Sequence, residues 1–254
     1  MQEPISILIT GASSGLGAAL ALAYARPGVT LFLGGRDRNR LKSVAEAAEA
    51  KGAAVHRQSV DVTDREAMSA WIAGADSLVP LDLVIANAGI SGGTAGGVER
   101  AEQARTIFAV NLDGMLNCVH PAVEAMQARG RGGQIAVMAS LAGYFGMPGA
   151  PAYSASKAAA LHYALALRGA LRPDGIAVNA ICPGFVRTAM TDVNTFPMPF
   201  LMHADRAARI MAGGLARNHA VIAFPWTMRA MVGLLAAIPA SWRGALLSRL
   251  PAKG

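Results

Sequence analysis

The chain has 254 residues, 53% hydrophobic and 15% charged, with a mean hydropathy of +0.36. That is too apolar for a disordered chain and long enough for one large domain or two small ones at ~150 residues each. Lys and Arg outnumber Asp and Glu by 23 to 16, giving a formal net charge of +7, which suits an anionic partner such as a nucleotide, a membrane surface or nucleic acid. The basic residues form no block interleaved with aromatics, and aromatics make up only 6%, so no nucleic-acid partner is expected.

Cys118 and Cys182 supply no disulfide framework, CxxC pair or metal cluster, which points to a reducing, cytoplasmic setting and no metal. The opening Met1-Gln2-Glu3-Pro4 carries an acid, and the apolar run behind it stops at Thr10-Gly11, too short for a signal peptide.

The first apolar run, Ile5 to Thr10, reads as a buried strand. Thr10-Gly11-Ala12-Ser13-Ser14-Gly15-Leu16-Gly17 then leads into a helix over Leu16 to Arg26. A glycine turn between strand and helix is where backbone N–H groups and the positive helix end hold a pyrophosphate, so Gly11, Ser13, Ser14, Gly15, Leu16 and Gly17 are candidate ligands. The plainer alternative is a turn that only packs the helix on the strand.

A second strand, Val29 to Leu33, ends at Gly34-Gly35-Arg36-Asp37. In a dinucleotide fold this place separates a ribose 2′-hydroxyl, held by an acidic residue, from a 2′-phosphate. Gly35 offers no carboxylate, whereas Arg36 offers a guanidinium fork, so NADP(H) is favoured over NAD(H). On the alternative reading Arg36 is a solvated charge and Asp37 only caps the next helix, Arg40 to Lys51.

Further along, strands are expected over Ala54 to Val60, Leu81 to Ala86, Gln134 to Ala139 and Ile176 to Ile181. Helices are expected over Arg65 to Gly74, Glu102 to Gln127 and Tyr153 to Leu171. Strands apolar on both sides must be shielded twice, so this alternation predicts an α/β fold: a Rossmann-type doubly wound parallel sheet. Gly89 to Gly97 reads as a loop, and without a linker or internal repeat the chain is one domain, 1–254.

Tyr153 and Lys157 stand four apart on one helix face, where an ammonium lowers a phenol pKa from ~10 toward working pH, as a general acid or base requires. Taken in order, the motifs are Thr10-Gly11-xxx-Gly15-x-Gly17, Asp61, Asn87-Ala88-Gly89, Asn111, Ser140, Tyr153-xxx-Lys157 and Pro183-Gly184. With them the chain resembles the short-chain dehydrogenase/reductase family in its single-domain form.

The resemblance implies that Tyr153 protonates a carbonyl oxygen or deprotonates an alcohol while Ser140 hydrogen-bonds the same oxygen. Lys157 lowers the Tyr153 pKa and binds the nicotinamide ribose, and Asn111 helps hold a water that links Lys157 to solvent. It places Asp61 and Val62 at the adenine, Asn87, Ala88 and Gly89 beside the adenosine ribose, and Pro183, Gly184, Val186 and Thr188 at the carboxamide. Ser14 stands where some NADP-using relatives carry a basic residue. The activity implied is hydride transfer between NADP(H) and a carbonyl or secondary alcohol, in a homo-oligomer, dimer or tetramer, joined through the helices of Asn111 and Tyr153. A non-catalytic nucleotide-binding sensor or scaffold is the alternative.

Residues 189–215, with Ala189-Met190 and the apolar Phe196 to Met202, are expected to choose the substrate, a small and apolar one; Leu141, Ala142 and Tyr144 join the same pocket. The last segment, 224–254, is an apolar, basic arm: Met231, Leu234, Leu235, Ile238, Trp242, Leu246 and Leu247 fall on helical spacings, punctuated by Arg229, Arg243 and Arg249. Its run from Ala230 to Trp242 is shorter than the ~20 residues that span a bilayer, and Pro239 breaks it. It reads either as a subunit-packing or pocket-covering arm or as a basic amphipathic surface that touches a membrane peripherally.

Overall fold

The computed structural model describes residues 3–94, 97–192, 197–239 and 241–242. Its strands are β1 (Ser6–Thr10), β2 (Thr30–Gly35), β3 (Ala54–Ser59), β4 (Leu83–Ala86), β5 (Gly133–Met138), β6 (Ile176–Pro183) and β7 (Val221–Phe224). They form one sheet in the order β3-β2-β1-β4-β5-β6-β7 with every pair parallel. The chain therefore winds outward from β1 to β3 and then restarts on the other side of β1. That reversal opens a crevice at the carboxyl ends of β1 and β4, where open α/β sheets bind ligands.

The helices are α1 (Gly15–Tyr24), α2 (Arg38–Glu49), α3 (Arg65–Leu78), α4 (Ala101–Phe108), α5 (Gly114–Arg129), α6 (Pro151–Ala170), α7 (Ala189–Asp192), α8 (Ala204–Ala216) and α9 (Trp226–Ala237). Alternate strand residues point to opposite faces, and here both faces are apolar. Ile7, Ile9, Leu31 and Leu33 pack with residues of α1, α2 and α8. Leu8, Phe32, Val84 and Val137 pack with α3, α5 and α6. Local signals set the helix starts: Asp37 accepts from the Arg40 N–H at 3.0 Å to cap α2, and Asp64 from the Ala67 N–H at 3.0 Å to cap α3.

Four differences from the sequence reading have physical reasons. β3 is the sheet edge rather than a buried strand, and its residues are exposed or half-buried, because only β2 pairs with it. The helix expected over Glu102 to Gln127 is interrupted by a π-helical turn at Ala109–Asp113 that carries Asn111, the kind of defect that concentrates at functional sites. Within the expected substrate segment 189–215, α8 is a core element: Ala207, Ala208, Met211 and Leu215 are buried on a helix that packs on α1, β7 and β6. Met202 also belongs to the core, since its N–H donates to the Phe185 carbonyl at 3.0 Å and its carbonyl accepts from the Arg187 N–H at 2.8 Å. Finally, β7 was not anticipated. Buried Asn179 positions it, donating to the His219 carbonyl at 2.7 Å and to Asn218 Oδ1 at 3.0 Å.

In the C-terminal arm, α9 buries Met228 and Val232 against β7 and the turn at Leu141–Tyr144, so this part packs on its own domain. Phe196, Arg243, Leu246, Leu247 and Arg249 lie outside the described residues. Among the described residues no helix is long and apolar enough to cross a membrane.

Candidate active site

The crevice is a cleft of about 570 Å³ running from the α1 N-terminus to the Ser140 turn. At its phosphate end, Gly11 and Gly15 adopt φ of +65° and +56°, a left-handed backbone open to glycine without strain. Gly17 does not line the cleft; it stands behind it, where a β-carbon would collide with the Gly11 carbonyl oxygen and come within 2.6 Å of Asn87 Nδ2. Ser13, Ser14 and Leu16 line the cleft, and Ser14 starts α1 without a side-chain capping bond. Exposed N–H groups at a helix start, with no side chain in front of two of the glycines, fit a pyrophosphate.

Thr10 organises the floor. Its Oγ1 accepts from the N–H groups of Asn87 and Ala88, both at 3.0 Å, and donates to the Ile85 carbonyl at 3.4 Å. Asn87 Nδ2 donates to the Thr10 carbonyl at 2.8 Å. The ends of β1 and β4 are thus tied together, with Ala88 and Gly89 on the cleft wall.

At the adenosine end, Arg36 lines the cleft with its side chain 66% exposed and Nη1 3.8 Å from Asp61 Oδ2. Asp37 is occupied by α2: it accepts from the Arg40 backbone and, at 2.6 Å, from Arg40 Nε, and these bonds hold its carboxyl below the usual carboxylate range. Gly35 has a steric reason as well, since a β-carbon there would sit 3.2 Å from Ser13. Asp61 accepts from the Thr63 N–H and hydroxyl, each at 2.9 Å; the Thr63 N–H chiefly, with its hydroxyl and Arg36 assisting, lowers the Asp61 carboxyl. Asp61 does not cap the helix that follows; Asp64 does, so the Asp61 carboxylate stays at the cleft. Val62 lines the cleft beside Asp61, and Arg40, which the sequence reading passed over, borders it too.

The reaction end brings Ser140, Tyr153 and Lys157 onto the cleft. Ser140 Oγ accepts from the Ala142 N–H at 3.1 Å and lies 3.4 Å from the Pro183 carbonyl, to which it donates. It also hydrogen-bonds Tyr153. Lys157, only 5% exposed, donates from Nζ to the Met138 carbonyl at 2.8 Å and sits 5.9 Å from the Tyr153 ring centroid. Burial pushes its amine down to about 8.

Tyr153 differs from expectation. Burial raises the phenol pKa and the Ser140 hydrogen bond only partly offsets it, with no lowering by Lys157, because desolvation of the charged form outweighs a cation held off by the ring and turned to the Met138 carbonyl.

Asn111 stands behind Gly89 rather than on the cleft. Its Oδ1 accepts from the Ile90 N–H at 2.8 Å, and its Nδ2 donates to the Ile90 carbonyl and to Ser156 Oγ, each at 3.0 Å. Ser156 in turn donates to the Tyr153 carbonyl at 2.8 Å, so Asn111 joins the loop after β4 to the helix that bears Tyr153 and Lys157. Glu99 Oε2 accepts from the Ala152 N–H at 2.9 Å at the start of that helix. Glu99 and Ser156 carried no motif signal, since Glu99 meets Ala152 and Ser156 meets Asn111 only across a long stretch of sequence.

Pro183, Gly184, Val186 and Thr188 form the remaining wall, with Ala189 and Met190 at its rim. Thr191 Oγ1 donates to the Val186 carbonyl at 2.7 Å and accepts from the Thr188 N–H at 2.9 Å, closing this turn. Among the described residues no cluster of His, Cys, Asp and Glu has metal-binding geometry.

Residues 6–196 match the family model for short chain dehydrogenase. An uncharacterized oxidoreductase of Myxococcus xanthus is 40% identical over 233 residues, covering 91% of this chain and 92% of that one. A short-chain dehydrogenase from Sphingobium yanoikuyae, solved in complex with NADPH, is 28% identical with a TM-score of 0.79 over 97% of this chain and 96% of its own. One from Mycobacterium paratuberculosis, solved bound to NAD, shares the fold at 23% identity and a TM-score of 0.76 over 86% of this chain and 94% of its own. With a glycine-lined cleft at the sheet reversal and a serine, tyrosine and lysine gathered at its far end, the chain belongs to the short-chain dehydrogenase family of nicotinamide-dependent oxidoreductases.

Proposed function

We propose that the protein interconverts a carbonyl and a secondary alcohol on a small apolar substrate, using NADP(H). The observation that carries this reading is the placement of Ser140 and Tyr153, hydrogen-bonded to each other, with buried Lys157 beside them on one cleft. The nicotinamide cofactor, when bound, supplies or accepts the hydride at the substrate carbon.

The chain's own residues manage the proton. Ser140 Oγ, fixed by the Ala142 N–H and the Pro183 carbonyl, orients the substrate oxygen. Tyr153, kept protonated by its raised pKa, holds the proton that the carbonyl oxygen takes during reduction and receives it back during oxidation. Lys157 binds the nicotinamide ribose and resupplies the proton through a water held at Asn111.

Gly11, Ser13, Ser14, Gly15 and Leu16 hold the pyrophosphate, with Gly17 keeping helix and strand close. Asp61 and Val62 meet the adenine, and Asn87, Ala88 and Gly89 the adenosine ribose. Pro183, Gly184, Val186 and Thr188 meet the carboxamide. Arg36 supports the NADP(H) preference, because Asp37 is engaged in capping α2 and with Arg40 and Gly35 carries no carboxylate. Ala189 and Met190 give the rim its apolar character. The protein acts in the cytoplasm as a dimer or tetramer joined through the helices of Asn111 and Tyr153, which sedimentation at micromolar concentration tests.

The deciding experiment follows nicotinamide absorbance over a panel of ketones and alcohols. Turnover is expected in the wild type and absent in Tyr153→Phe, with the coenzyme dissociation constant nearly unchanged. Wild-type turnover in Tyr153→Phe would overturn the assignment.

A further inference from the structure

The outer face of α9 is apolar and uncovered. Trp226, Ala230, Leu234 and Ala237 recur at helical spacing on the side opposite buried Met228 and Val232. Trp226 is 78% exposed, Leu234 75% and, just beyond the helix, Trp242 73%. With Met231 these are four of the eleven large hydrophobic side chains that are most exposed among the described residues, so the exposure is gathered rather than scattered. The only charged side chain on α9 is Arg229, at the edge of the stripe.

Charge is gathered in the same part of the chain. From Trp226 onward the sequence contains Arg229, Arg243, Arg249 and Lys253 and no Asp or Glu, a surplus of four positive charges; Arg206, Arg209 and Arg217 belong to α8 and its end, which pack with α1 on the other face of the sheet. An apolar stripe flanked by tryptophans, in a segment with uncompensated positive charge, complements a lipid surface with anionic headgroups: the apolar side chains enter the acyl boundary, the indoles rest at the headgroup level, and the cations meet phosphate. A second copy of this chain would bring the same positive charge to the contact.

We propose that α9 is a docking surface for an anionic lipid bilayer. Binding is peripheral, since no described helix crosses a membrane. The surface lies beside the cleft: α9 packs on the turn after Ser140, and a β-carbon at Gly184 would come within 2.5 Å of Met228 Sδ. Docking thus sets the substrate end of the cleft near the bilayer, and it holds whatever chemistry the cleft performs.

The test is co-sedimentation of the full-length protein with phosphatidylcholine vesicles, with and without phosphatidylglycerol. Binding is expected to vesicles containing phosphatidylglycerol and to weaken as salt rises. Leu234→Glu and Trp226→Ser are each expected to lower the partition coefficient about tenfold or more, with melting temperature and coenzyme affinity unchanged because both side chains are exposed. No binding to the anionic vesicles, or equal binding by folded variants, would overturn the proposal. So would a fall in oligomer size in Leu234→Glu, which would make a second copy of the chain the occupant.

Discussion

Lys157 is held in the site at a cost that pH exposes. Its amine falls from the ordinary 10.5 to about 8 because burial disfavours the charged form, which corresponds to about 3 kcal/mol at neutral pH. At pH 7 the amine is protonated in both folded and unfolded chains, so the whole cost is present. Between about pH 8 and 10.5 the folded amine is neutral while the unfolded one still binds a proton, and stability recovers as pH rises; about 1.5 kcal/mol of the cost remains at pH 9.5. In Lys157→Met the side chain is neutral throughout. The lost hydrogen bond to the Met138 carbonyl shifts the variant by a nearly constant amount, and other titrating groups cancel in the difference. Relative to wild type the variant should therefore lose about 2 kcal/mol from pH 7 to pH 9.5, a change in melting-temperature difference of about 4–8 °C for a domain of this size. Thermal melts of both proteins at the two pH values measure it, and turnover should vanish in the variant at either. A melting-temperature difference independent of pH would refute the buried, depressed amine.

Arg36→Ala should weaken NADPH about ten- to a hundredfold, the worth of one charge-assisted hydrogen bond, and leave NADH nearly unchanged; equal dissociation constants in the wild type, by fluorescence titration, would show Arg36 to be a surface charge. Asn111→Leu removes three hydrogen bonds and strands the Ile90 N–H, so it should cost about 2–4 kcal/mol and slow turnover; an unchanged melting temperature would count against the tie between the β4 loop and α6. Gly17→Ala forces a methyl onto backbone oxygen and should cost at least about 1–3 kcal/mol with loss of coenzyme affinity, read by the melt and the same titration.

The order of strands and helices, the parallel sheet, the glycine turn and the Tyr153–Lys157 pair were legible from the sequence because each rests on a local signal: an apolar run, a glycine where the backbone must turn, a helical spacing of four; Ser140 was named only through the family resemblance. Asp37 as a cap was equally legible, since its partner lies three residues on. What the sequence left open depends on contacts between distant segments. β3 follows the strand spacing of its neighbours, but His56, Arg57, Gln58 and Ser59 make it polar where β1 and β2 are apolar, and its place at the sheet edge leaves those residues exposed. β7 is four residues long and exists because β6 offers it an edge and Asn179 a partner. Asn111 is an ordinary helical residue until the π turn aims it at Ile90 and Ser156, and Glu99 supports α6 from a separate loop. The pKa values are of the same kind: spacing alone suggested that Lys157 would lower Tyr153, but burial raises the phenol and lowers the amine, because desolvation is set by the whole packed environment rather than by neighbours in the chain.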